Sequence, residues 1–144
     1  MTFFDRHIAS SQPVLLGIVS AFIGLILQQL VMNALILLTL GYQTTWYAVG
    51  EYALLFLIQV SFAFFVLGHV QGNVLAGASA AALAAFLGFL LSNTQIFSAF
   101  LSVADSLAMM YLFFMLPQLV ILTLGQFTGG FFVWVKSRQH AQVI

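Results

Sequence analysis

Residues 13–40 read PVLLGIVSAFIGLILQQLVMNALILLTL, a stretch without a single charged side chain. As one helix it would be ~42 Å long at ~1.5 Å per residue, whereas ~20 apolar residues already cross the hydrocarbon core of a bilayer. Such a segment belongs in a membrane and must tilt, bend or protrude from it. The rest of the chain repeats the pattern, with uncharged runs from His7 to Gly50, from Tyr52 to Ala104 and from Ser106 to Val135.

Composition agrees. Of 144 residues 63% are hydrophobic and 4% charged, against roughly a quarter charged in soluble domains. The six charges are Asp5, Arg6, Glu51, Asp105, Lys136 and Arg138, and they sum to zero. A neutral chain of this kind offers no footprint for nucleic acid. With no cysteine, disulfides, thiolate metal sites and redox dithiols are excluded, and with them the disulfide-forming four-helix membrane oxidoreductases. The first apolar stretch is also too long for the ~7–15-residue core of a signal peptide.

Four spans follow, making one transmembrane domain over residues 1–144, an all-α integral membrane four-helix bundle of two helical hairpins. The first runs from about Pro13 to Leu40, with Ser10 or Ser11 as its cap. The second covers about 48–70 after a cap at Thr44 or Thr45, and Gly68, Gly72 and Asn73 then mark a tight turn. The third covers about 74–91. Its ladder of Gly72, Ala76, Ala80, Ala84 and Gly88 lets helix backbones approach closely in lipid, which predicts a central position. A short interfacial helix over about 95–102 is predicted from the stripe Ile96, Phe97, Phe100, Leu101. The fourth span covers about 107–135, with Pro117 expected to kink it and Gly125 and Gly129 as a close-packing pair. Gly17, Ala21, Gly24 and Gln28 give the first span a packing stripe of its own.

Orientation rests on three cations. Arg6 precedes the first span, Lys136 and Arg138 follow the fourth, and no connection carries Lys or Arg. The positive-inside rule then puts both termini in the cytoplasm. Tyr42, Trp46, Tyr47 and Tyr52 form an outer aromatic belt and Trp134 an inner one.

The polar residues inside the spans are the functional candidates. Counted from each span's midpoint, Gln28, Gln29 and Gln59 are central, while Asn33 and Gln118 lie slightly outward. An amide facing lipid would be unsatisfied, so these side chains are expected to pair as interhelical glue or to line a midplane polar site. Asn33 is expected near the Phe113 carbonyl that Pro117 frees. Glu51, near the outer end of the second span, suits the helix macrodipole; facing the bundle, it would instead be a proton or cation site. Small multidrug-resistance antiporters carry their essential glutamate in the first of four helices, where this chain has no acid. Asp105 completes Ser102-Val103-Ala104-Asp105, a capping-box pattern. His69, between Gly68 and Gly72, is a candidate cofactor contact, although His7 and His140 lie outside the spans and cannot complete a bis-histidine haem.

Catalysis has no obvious seat, with no acid pair, no His-x-x-x-His and no cysteine. The expectation is a non-catalytic integral membrane subunit that packs within and stabilises a larger multi-subunit complex. It requires no cofactor, with contact to pigment, haem, quinone or lipid as an option. Its membrane is taken to be a bacterial or archaeal cytoplasmic membrane, and its partners the lipid bilayer with other membrane subunits or copies of itself. The alternative is a small homo-oligomeric transporter or channel using Glu51 and the midplane amides.

Overall fold

The computed structural model describes the backbone of residues 3–39, 45–102 and 105–143, and side chains within 12–38, 48–102 and 105–143. Five helices carry these segments: α1 (Phe3–Thr39), α2 (Thr45–Leu67), α3 (Val74–Ser92), α4 (Gln95–Leu101) and α5 (Ser106–Val143). Four of them, all but α4, are long and apolar enough to cross a membrane. The bundle of four apolar spans is therefore as the composition requires.

Helix ends differ from the sequence reading where local signals compete. Pro13 lies well inside α1, which begins at Phe3, so neither Ser10 nor Ser11 caps its start. Polar residues before an apolar run can continue a helix as readily as cap one. Thr45 is the first residue of α2, and the predicted elements at Leu40, Gly41, Tyr42 and Thr44 lie outside the described residues. Leu67 ends α2, three residues short of the predicted Val70. Gly72 follows with φ 120°, a left-handed conformation that glycine adopts without steric penalty. Asn73 then caps α3 by accepting from the Ala76 N–H at 3.2 Å. At the other connection Asp105 is itself the cap of α5, its Oδ1 accepting from Leu107 N–H at 3.0 Å. Ser102 instead closes α4, so the two residues do not form one capping box.

The bundle is four-cornered. Helix α1 packs on α3 and α2, and α5 packs on α2 and α3, while α1 faces α5, and α2 faces α3, across the diagonals. Consecutive helices α2 and α3 are thus barely in contact, and α3 is a corner helix rather than the central one. Gly17 meets Gly77 and Ala81, and Gly88 meets Leu25, so α1 and α3 run parallel. In the same way Gly125 meets Gln59 and Gly129 meets Val60, Ala63 and Phe64, which makes α2 and α5 parallel. Two antiparallel hairpins, α1–α2 and α3–α5, are therefore joined through helices of the same direction.

Glycine sets the closeness of those joins. A Cβ on Gly129 would lie 2.5 Å from the Val60 carbonyl oxygen and 2.9 Å from the Phe64 nitrogen. One on Gly130 would lie 2.5 Å from the Ala78 Cβ, sealing α5 to α3 as well. The buried face of α3 is Gly77, Ala78, Ala81, Ala85 and Phe89, one position beyond the predicted ladder. Ala76, Ala80, Ala84 and Gly88 are only half-buried and Gly72 is exposed; Ala80 and Gly88 flank α1. In α4, Ile96 and Ala99 are buried, and Phe97, Phe100 and Leu101 point outward. The predicted stripe is split because the helix meets the core through Ile96 and the small Ala99. Pro117 sits in a continuous α5 and lines an apolar cleft with Phe100, Met109, Leu112, Phe113 and Leu116.

Candidate functional site

A cluster of buried polar side chains runs through the middle of the bundle, four of them hydrogen-bonded in series. Ser20 and Gln28 come from α1, Gln59 from α2, and Gln118 and Gln126 from α5, and all five are at most 3% exposed. Helix α3 contributes none of them; its side of the interior is the apolar cluster of Ala21, Ala85, Phe89, Leu112, Leu119 and Leu122. Glutamine suits this position because its side chain is long enough to bridge α1 and α5, whose backbones are separated by the bundle diagonal.

Connectivity fixes the orientation of every amide. Gln59 Nε2 donates to the Gly24 carbonyl at 2.8 Å, and a carbonyl can only accept. Its Oε1 must therefore accept, which it does from Gln126 Nε2 at 2.7 Å. The Gln126 oxygen in turn accepts from the Ser20 hydroxyl at 2.7 Å. On the other side Gln59 Nε2 also approaches Gln28 Oε1 at 3.4 Å, while Gln28 Nε2 donates to the Gln118 carbonyl at 3.0 Å. The series of side chains ends there, on the α5 backbone; the Gln118 side chain stays on its own helix, its Nε2 donating to the Phe114 carbonyl one turn back at 3.3 Å. Donors and acceptors all follow one direction, the arrangement in which hydrogen bonds polarise one another.

The backbone leaves room for these amides at two glycines. A Cβ on Gly24 would strike Gln126 Nε2 and lie 2.6 Å from Gln59 Oε1, and one on Gly125 would lie 2.5 Å from Gln59 Cβ. Gly24 and Gly125 therefore hold open the space in which α1, α2 and α5 exchange hydrogen bonds.

The structure thus brings Gln28, Gln59 and Gln118 together and adds Ser20 and Gln126. Gln29 and Asn33 stay apart. Gln29 is half-buried beside α3, Asn33 is exposed, and neither has a hydrogen-bond partner among the described residues. Asn33 does not reach the Phe113 carbonyl. Relative to Gln28, Gln29 is turned by ~100° and Asn33 by ~140° around α1, away from the face that meets α2 and α5.

Glu51 is half-buried and, with α2 starting at Thr45, lies nearly two turns inside the helix. That is beyond the first turn in which the macrodipole acts. His69 is exposed in the turn after α2, with its Nδ1 2.8 Å from the Phe65 carbonyl and its ring edge-on to Phe65 at 5.2 Å. A carbonyl partner requires Nδ1 to carry a proton. Near the end of α5, Lys136 Nζ lies 5.7 Å from the Phe64 ring centroid and the Arg138 guanidinium 5.1 Å from that of Trp134. Both cations keep their stems along apolar surface, as snorkelling side chains do.

No family model, curated protein or solved structure matches this chain.

Proposed function

We propose that the protein is a non-catalytic integral membrane subunit that packs within and stabilises a larger multi-subunit membrane complex. The observation that carries this reading is the closed amide chain. Gln28, Gln59 and Gln126 use their hydrogen-bonding groups on one another, on Ser20 and on backbone carbonyls, which supports a role in rigidity rather than in binding cargo at the centre. The outer faces support it from the other direction. Leu30, Leu37, Leu38, Leu57 and Phe65 are each more than half exposed, and such surface belongs against lipid or neighbouring helices. The proposed setting is a bacterial or archaeal cytoplasmic membrane with both termini on the cytoplasmic side.

Extraction in a mild detergent, followed by native electrophoresis and mass identification, tests the reading. Unrelated polypeptides in fixed ratio are the expected result. A stable homo-oligomer that carries a proton-coupled flux in vesicles, lost in Glu51→Gln, would overturn it. That result would establish the competing reading of a small transporter or channel using Glu51 and the midplane amides, of which Gln29 and Asn33 are left outside the amide chain.

A further inference from the structure

Helix α1 outruns its parallel neighbour α3. With Gly17 beside Gly77 and Leu25 beside Gly88, Ser92 at the end of α3 is level with Gln29, and the apolar part of α1 continues to Leu38. The step leaves a cleft of about 440 Å³ lined by Leu25, Ile26, Gln29, Leu30, Ser92 and Asn93. Its volume lies within the ~300–1,000 Å³ of small-molecule sites, which are apolar with a few placed polar groups.

The polar groups of the cleft specify a ligand chemistry. Ser92 Oγ donates to the Gly88 carbonyl at 2.7 Å, so it faces the cleft only as an acceptor. Asn93 Nδ2 donates to the Phe89 carbonyl at 3.0 Å, which leaves Oδ1 as an acceptor that no described donor reaches. Gln29, with no partner among the described residues, supplies both an N–H donor and an oxygen. None of the lining residues is charged. A hydroxyl satisfies this set, donating to Asn93 or Ser92 while accepting from Gln29.

We propose that the cleft between α1 and the end of α3 binds the hydroxyl head of a neutral, membrane-soluble amphiphile, with its apolar body along Leu25, Ile26 and Leu30. The proposal stands on the isolated chain and does not depend on the subunit reading.

The test uses the purified full chain in detergent micelles, a long-chain primary alkanol carrying a photoactivatable diazirine, and its methyl ether as the control that cannot donate. Mass mapping should find alkanol adducts on the segments around Ile26–Leu30 and Ser92–Asn93, with the ether labelling them about tenfold less. Gln29→Leu should lower alkanol labelling by a similar factor. Ile26→Trp, which fills the cleft and removes no hydrogen bond, should do the same, and thermal unfolding of both variants shows that the bundle persists. Competition by a diacylglycerol assigns the site to lipid hydroxyls, and competition by a short-chain hydroquinone assigns it to reduced quinones. Competition by neither, equal labelling by alkanol and ether, or labelling that survives both substitutions would overturn the proposal.

Discussion

Gln59 joins all three helices of the polar chain, because it donates to α1 twice and accepts from α5 once. Replacing it with leucine removes these bonds and leaves Gln126 Nε2 and Gln28 Oε1 without partners. Interhelical hydrogen bonds in membranes are worth ~0.6–2 kcal/mol each, so Gln59→Leu should cost roughly 2–4 kcal/mol of bundle stability, read from unfolding in bicelles. Ser20→Ala removes one neutral bond and should cost about 1 kcal/mol. The double variant Ser20→Ala with Gln126→Leu should cost less than the sum of its parts, since residues sharing one network are not additive. Additive losses would mean that the two side chains are not coupled.

Three of these glutamines were visible in the sequence, and Gln126 and Ser20 were not. Depth counting favours polar residues near a span's midpoint, and Gln126 lies five positions past Ile121. A better signal was spacing: Ser20 precedes Gln28, and Gln118 precedes Gln126, by eight residues. Eight residues at ~3.6 per turn leave two side chains ~80° apart, within one broad helix face. That periodicity also separates Gln28 from Gln29 and Asn33, which depth alone cannot do.

Among elements, the glycine joins differ in how much they tolerate. A methyl on Gly129 would press on the backbone of α2, with the Val60 oxygen at 2.5 Å, whereas one on Gly88 would meet only the flexible end of Leu25 at 3.8 Å. Overpacking costs ~1–3 kcal/mol, so Gly129→Ala should destabilise the bundle by that amount while Gly88→Ala is close to neutral. Equal effects in a thermal melt would contradict the contact geometry. Asp105→Ala should cost ~1 kcal/mol through loss of the α5 cap, and Asp105→Asn, which keeps the acceptor, should recover most of it. The close-packing tendency of α3 was legible, but its phase was not. Seven consecutive small residues, Ala76 to Ala82, leave every side of the helix thin, so the sequence there carries no periodic contrast. Phase is set by bulky partners, here Leu67 from α2 and Phe89 at the far end of α3 itself.

For the molecule as a whole, the order of helices around the bundle could not be read from any single span, because it depends on which glycines meet across hairpins. The direction of each helix in the membrane, in contrast, is tied to three cations and is open to direct measurement. The chain contains no cysteine, so one introduced thiol is the only reactive site. Exposed Ser137 near the end of α5, exposed Gln71 between α2 and α3, and exposed Ser106 at the start of α5 report on opposite ends of the bundle. If the positive-inside rule governs, Ser137→Cys and Gln71→Cys should be protected from a membrane-impermeant maleimide in intact cells and react after lysis. Ser106→Cys should react in both. The first two must agree with each other in either orientation, since α2 and α5 run parallel and end on the same side. A split between them would therefore contradict the bundle, whereas reversal of all three would contradict only the orientation drawn from Arg6, Lys136 and Arg138.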